Sequence, residues 1–192
     1  MIVSIHQPNF MPWYPYFQKM QQADIFVVLE NCQFEKNGFQ NRFNMNNTWY
    51  TMSTTRKLIP INEKPYLKHT QDWETIKRKL PEYSEILNMF DDCICDSLSK
   101  TNGALVKKIK NLLQIDTEIV FDYPTDFRST ERLVDICKKN NATKYLSGIS
   151  GKEYLNLNLF EEQSIEVIFQ KEEDMLKKSI IEFLKEEGIK ND

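Results

Sequence analysis

The 192-residue chain has few of the residues that announce common sites: five glycines, four cysteines and two histidines. The glycines form neither the G-x-x-x-x-G-K spacing of a P-loop nor the G-x-G-x-x-G dinucleotide fingerprint. Cys32, Cys93, Cys95 and Cys137 make no disulfide or zinc framework, and the C-x-C spacing of the middle pair is not that of a C-x-x-C redox motif. No G-x-S-x-G elbow is present. No histidine and carboxylate cluster has metal-ligand spacing, so no metal is expected. A net charge of -3 provides no global attraction to nucleic acid or anionic lipid, and a nucleic-acid partner is not expected. No apolar run approaches the roughly 20 residues of a membrane span. The amino terminus lacks a basic segment followed by an apolar one, so no secretion signal is expected, and a reducing cytoplasm is the expected location. The length suits one domain, 1–192, large enough to bury a core.

What is present is an α/β rhythm. Ile2 to Ile5 reads as a buried strand that runs into His6. Pro8 and Pro12 stiffen the loop from Gln7 to Trp13 by fixing φ and removing amide donors. Pro15 suits the first turn of a helix over Tyr16–Ala23, with Phe17 and Met20 on its core face. Ile25 to Leu29 is a continuous apolar run, as in a strand covered on both faces. Gln33 to Asn47 is polar and aromatic and reads as a functional loop. Thr48 to Thr55 has strand composition. Helices are expected at 73–80, 83–90 and 96–113, the last with Leu98, Leu105, Ile109 and Leu112 on one face. They form a helical insertion at about 66–113. Strands follow at 118–121, 144–146 and 165–169. A helix over 130–139 is capped by Ser129, and a final helix over 175–187 turns Leu176, Ile180, Phe183 and Leu184 inward. His69 is expected in a surface loop, and Trp13, Trp49 and Trp73 as core or loop anchors. The class is α/β, with a Rossmann-like, mostly parallel sheet and flanking helices.

In such a sheet His6 falls on the edge that carries sites, where an imidazole serves as general acid or base. The alternative is a structural histidine that ties down the proline loop. Lys36 and Arg42, among Asn37, Gln40 and Asn41, offer cations for phosphate and amides for hydroxyls, or else a solvated loop. Phe34 and Phe39 within that loop favour a site, because a solvated loop has no need of them. Ser147 to Lys152 is a strand-to-helix turn whose amides and lysine suit an anion, or a tight turn spending two rare glycines on positive φ. Glu131 suits the first turn of its helix without any function, whereas Arg132 opposes the helix dipole there and so points to another partner.

The strings Ile5-His6-Gln7-Pro8-Asn9-Phe10-Met11-Pro12-Trp13, Ala23-Asp24-Ile25-Phe26-Val27, Gln33-Phe34-x-Lys36, Gln40-Asn41-Arg42, Thr130-Glu131-Arg132-Leu133 and Tyr145-Leu146-Ser147-Gly148 closely resemble the WbqC-like family, in the same order along nearly the whole chain. The chain departs from the family pattern at Pro15, at Phe39 and in the charged segment Lys171 to Asp174. The resemblance implies a protein of bacterial O-antigen and other surface-polysaccharide clusters. It implies a transferase that attaches glycine or another acyl or aminoacyl group to an amino sugar, or an ATP-dependent amide ligase. ATP and Mg would be cofactors only in the second case. The alternative is a non-catalytic sugar-nucleotide-binding or scaffolding protein. The expected ligands are a nucleotide-linked amino sugar and an amino acid or acyl donor. His6 is expected to be catalytic. Gln7, Asn9, Gln33, Lys36, Gln40, Asn41, Arg42, Glu131, Arg132, Ser147, Gly148, Ser150, Gly151 and Lys152 are expected to bind substrate.

Overall fold

A computed structural model describes residues 1–187 of the chain. It contains two compact units, each assembled from three separate segments. The first comprises Met1–His6, Pro15–Leu29 and Ile115–Leu176, and the second Gln7–Tyr14, Glu30–Gln114 and the chain from Lys177.

The first unit is an α/β sandwich. Its strands are β1 (Ile2–His6), β2 (Ile25–Val28), β5 (Glu118–Phe121), β6 (Lys144–Ser147) and β7 (Glu166–Phe169). They form one sheet in the order β5-β2-β1-β6-β7, and every neighbouring pair is parallel. The strand order reverses direction at β1, which is the doubly wound, Rossmann-like arrangement. Helices α1 (Tyr14–Gln21), α5 (Ser129–Lys139), α6 (Gly151–Tyr154) and α7 (Leu157–Glu161) make the crossovers. Val3, Ile5 and Val27 from the sheet pack with Leu133, Val134, Ile136 and Cys137 of α5, and with Tyr145 and Phe160, whose rings stack at 5.1 Å. Phe17 and Met20 of α1 are fully buried, as their spacing predicts.

The second unit has a two-stranded antiparallel hairpin, β3 (Arg42–Met45) and β4 (Thr48–Thr51), and the helices α2 (His69–Lys79), α3 (Ser84–Asn88), α4 (Leu98–Leu112) and α8 (Ile180–Glu187). The hairpin corrects the reading of Gln33 to Asn47 as loop throughout. Asn46 and Asn47 both take left-handed φ (50° and 60°), so the chain reverses in a two-residue turn whose twist matches that of the strands. Phe43, Met45 and Tyr50 face inward, while Arg42, Asn44, Trp49 and Thr51 face outward. Phe10, from the proline loop, is fully buried in this unit. Its ring lies 5.9 Å from that of Phe43, 6.1 Å from Tyr66 and 6.2 Å from Trp73.

Several expectations change. His69 opens α2 rather than sitting in a loop. The helix expected over 83–90 shortens to Ser84–Asn88 between two 3₁₀ turns. The last helix begins at Ile180 rather than at 175. Ahead of it the Leu176 N–H donates to Gln18 Oε1 at 2.9 Å, and the Leu176 side chain is exposed rather than inward. Ser129 is the first residue of α5 at φ 48°, and the Ser129 hydroxyl does not cap it. Trp73 is buried, but Trp13 and Trp49 are exposed.

Candidate functional site

In the first unit, the last β1–β6 pair is Ser4 with Leu146. Two residues further along come His6, the last residue of β1, and Gly148, just past the end of β6. Both therefore reach the carboxyl edge of the sheet beside the point where strand order reverses, which is where open α/β sheets bind ligands. The His6 ring packs edge-on against Tyr16 at 4.7 Å, and its carbonyl accepts from the Leu29 N–H at 2.9 Å. Beneath it, Lys19 is buried and donates to the Ile5 carbonyl at 3.0 Å, and burial pushes its ammonium down to about 7. Ser147 is buried and its hydroxyl donates to the Gly148 carbonyl at 3.1 Å. Gly148 and Gly151 do not take the left-handed φ expected of them. Gly151 is there for space, because a Cβ would collide with Ser147 Oγ. Ser150 and Lys152 are exposed, and the Lys152 ammonium lies 5.5 Å from the Phe169 ring centre.

Arg132 meets the partner that its place against the dipole predicts. It forms a buried ion pair with Asp122, the residue after β5, and donates to the Tyr123 carbonyl at 3.2 Å. This pairing ties the start of α5 to the end of β5. Glu131 is exposed at the same helix start.

The second unit holds a cleft of about 570 Å³, within the range of about 300–1,000 Å³ usual for small-molecule sites. Phe34, Lys36, Asn37, Asn41, Arg42, Thr51, Thr54, Thr55, Arg56 and Leu58 line it. Five of these, Phe34, Lys36, Asn37, Asn41 and Arg42, come from the loop singled out in the sequence. Thr51, Thr54, Thr55, Arg56 and Leu58 were not foreseen as site residues. Nothing local marks Thr54 to Leu58, and only the hairpin's return brings them opposite Lys36 and Arg42. Three cations line the cleft, with no carboxylate among the described lining residues. That arrangement is self-repelling without an anion and suits phosphate.

Of the three cations, Arg42 is held in place by contacts within the protein. Arg42 Nε donates to the Gly38 carbonyl at 3.2 Å, and a terminal nitrogen donates to the Asn37 carbonyl. The guanidinium lies 4.0 Å from the Trp49 ring centre. Two of the five guanidinium N–H donors are thus used inside the protein, and the others remain for a ligand. Asn41 Nδ2 donates to the Met52 carbonyl at 2.8 Å, fixing the mouth of the hairpin. The Thr55 hydroxyl oxygen is buried and has no partner among the described residues.

Behind the cleft, Gln40 is buried and donates to Gln7 Oε1. Gln7 Nε2 donates in turn to Glu35 Oε1 at 3.3 Å. The Gln40 carbonyl accepts from Tyr66 Oη at 3.1 Å and Asn102 Nδ2 at 2.6 Å, and Asn102 also donates to the Pro8 carbonyl at 2.7 Å. Gln7 and Gln40 therefore support the loop rather than line the cleft. Asn9 is buried, and Gln33 is exposed and bridges to Pro60. Sequence reasoning missed Asn102, because a helical asparagine 62 positions away carries no local sign that it holds this loop.

Comparison with known proteins adds relatives but no assigned chemistry. The chain is similar to the uncharacterized protein Rv1507c of Mycobacterium tuberculosis (strain ATCC 25618 / H37Rv), at 27% identity over 86% of this chain and 80% of the relative. No solved structure matches. The model of the WbqC-like protein family matches residues 7–178, which include the cleft loop, β6 and the turn after it. The chain belongs to the WbqC-like protein family.

Proposed function

We propose that the chain is a transferase of bacterial surface-polysaccharide (O-antigen) biosynthesis that acts on a nucleotide-linked amino sugar. The observation that carries this reading is the convergence of Lys36, Arg42 and Arg56 on one cleft with three threonines and two asparagines but no carboxylate among the described lining residues. The cations suit the phosphates of the ligand, and the amides and hydroxyls suit its sugar. In the transfer, the sugar's amine attacks the carbonyl carbon of an activated glycine or other acyl donor. The donor's leaving group departs as the amide forms, and a base takes the amine's proton. We assign the base's role to His6, whose imidazole is the candidate general base. Ser147 to Lys152 lie on the same edge of the sheet as His6. An ATP-dependent ligation would follow the same course with the acyl group activated as its phosphate, and ATP with Mg would then be needed.

A second reading, a non-catalytic sugar-nucleotide-binding protein of the same pathway, has one observation in its favour: the described lining of the cleft contains no imidazole, thiol or carboxylate. Titration calorimetry together with product analysis separates the two. Nucleotide sugar is expected to bind the unmodified chain, and Arg42→Ala or Arg56→Ala is expected to weaken it about tenfold or more, as for a charge-assisted contact. His6→Ala is expected to keep binding and lose amide product. Full turnover by His6→Ala removes the catalytic assignment, and binding without any product supports the second reading. Unchanged affinity in both arginine variants overturns the cleft.

A further inference from the structure

The outward face of the β3–β4 hairpin does more than wall the cleft. Arg42 pairs with Thr51 across the hairpin, and both line the cleft. The next outward pair is Asn44 with Trp49. Trp49 is therefore the diagonal neighbour of Arg42, and this register lays the guanidinium 4.0 Å from the indole centre. Phe39 lies against the same indole, with ring centres 5.6 Å apart. Phe39 is 54% exposed and Trp49 43% exposed. Two touching aromatic rings left in water beside a cationic cleft are an unusual use of surface, because such contiguous apolar area normally meets a ligand.

We infer that Phe39 and Trp49 form a stacking ledge for the nucleobase of a nucleoside diphosphate whose phosphates lie in the adjoining cleft. This rests on the cleft being a phosphate site. Arg42 belongs to both parts, since it lines the cleft and its guanidinium lies over the indole. A base is favoured over a pyranose because the indole already carries a cation over its ring, and aromatic rings and arginine planes are the surfaces on which bases are read. A longer nucleic acid does not fit a chain of net charge -3.

The test is calorimetric titration of inorganic pyrophosphate, ADP, UDP and an N-acetylhexosamine 1-phosphate into the unmodified chain, Trp49→Ala, Trp49→Phe and Phe39→Ala. Both side chains are exposed, so the variants should fold, which thermal melting without ligand verifies. The tighter of ADP and UDP is expected to bind better than pyrophosphate. Trp49→Ala is expected to lose that nucleotide on the order of tenfold while pyrophosphate changes less than about twofold. Trp49→Phe is expected to restore most of the loss, and Phe39→Ala to weaken the nucleotide alone. Equal losses of pyrophosphate and nucleotide in Trp49→Ala would mean that the indole only positions Arg42, and would overturn the ledge. So would a dependence on Trp49 shown by the sugar phosphate rather than by the nucleotide. If pyrophosphate binds while nucleotide affinity is indifferent to both rings, the ledge falls and the cleft stands. If neither pyrophosphate nor nucleotide binds the unmodified chain, the cleft fails and the ledge goes with it.

Discussion

Lys19 is a cation buried under the strand that ends in His6. Its ammonium meets the Ile5 carbonyl at 3.0 Å and, at 5.8 Å, the Phe26 ring. Desolvation lowers its folded pKa to about 7, whereas the unfolded chain titrates it near the ordinary lysine value of about 10.4. Between these values the unfolded state binds a proton that the folded state has lost, so this residue makes stability rise with pH from about 7 to about 10. Below about 7 both states are protonated and the full penalty of the buried charge persists. Lys19→Met is therefore expected to gain stability over the unmodified chain at neutral pH, with a gap that closes towards pH 10. The size of the pH-dependent part is on the order of 4 kcal/mol, offset by about 1 kcal/mol for the lost hydrogen bond. Denaturant melts of both proteins at pH 6, 7.5, 9 and 10 test this, and a constant gap would refute it. Lys19 was not legible in the sequence, because a lysine near the end of a helix is the ordinary solvated case. Arg132 was half legible. Its position against the helix dipole demanded a partner, but only the fold shows that the partner is Asp122.

At the scale of elements, patterns carried by continuous burial were readable. Ile25 to Val28 is a central strand because it is apolar on both faces, and Leu98, Leu105 and Ile109 are fully buried at helical spacing. Of the polar hairpin only the second arm was readable, from the strand composition of Thr48 to Thr55, because cleft residues on one face disguise the first arm as loop. Its determinant is the turn. Asn46 and Asn47 both sit at left-handed φ, which asparagine tolerates and a β-branched residue does not. Asn47→Gly is expected to leave the melting temperature unchanged or slightly raised. Asn47→Val is expected to cost about 1–2 kcal/mol. Because a slip of β4 by one residue would turn Trp49 and Thr51 inward, Asn47→Val is also expected to weaken pyrophosphate binding although Asn47 is not a lining residue of the cleft. Titration of both variants alongside thermal melts checks this. Valine at 47 with unchanged stability and binding would show that packing of Phe43 on Tyr50, with ring centres 5.1 Å apart, sets the register by itself.

At the scale of the whole chain, neither unit is a continuous stretch, and this limits what can be cut out. The second unit takes most of its residues from Glu30–Gln114 but its Phe10 from the short segment Gln7–Tyr14. Phe10 is fully buried among Phe43, Tyr66 and Trp73. The same segment supplies the Pro8 carbonyl that takes one proton of the Asn102 amide, while the other goes to the Gln40 carbonyl. Removing the segment would open a cavity of phenylalanine size and leave a buried amide donor unpaired. The two penalties are about 3–5 kcal/mol and about 1–3 kcal/mol. Together they approach the whole stability of a small domain. A fragment of residues 30–114 is therefore expected to lack a cooperative melt and to fail to bind pyrophosphate. In the full chain, Phe10→Ala is expected to lose about 3–5 kcal/mol, whereas Phe10→Leu should keep most of the packing. A cooperatively folding, pyrophosphate-binding 30–114 fragment would show that the proline loop is no part of this core. The stiff loop that follows His6 would then owe its two prolines to the carboxyl edge of the sheet rather than to the burial of Phe10.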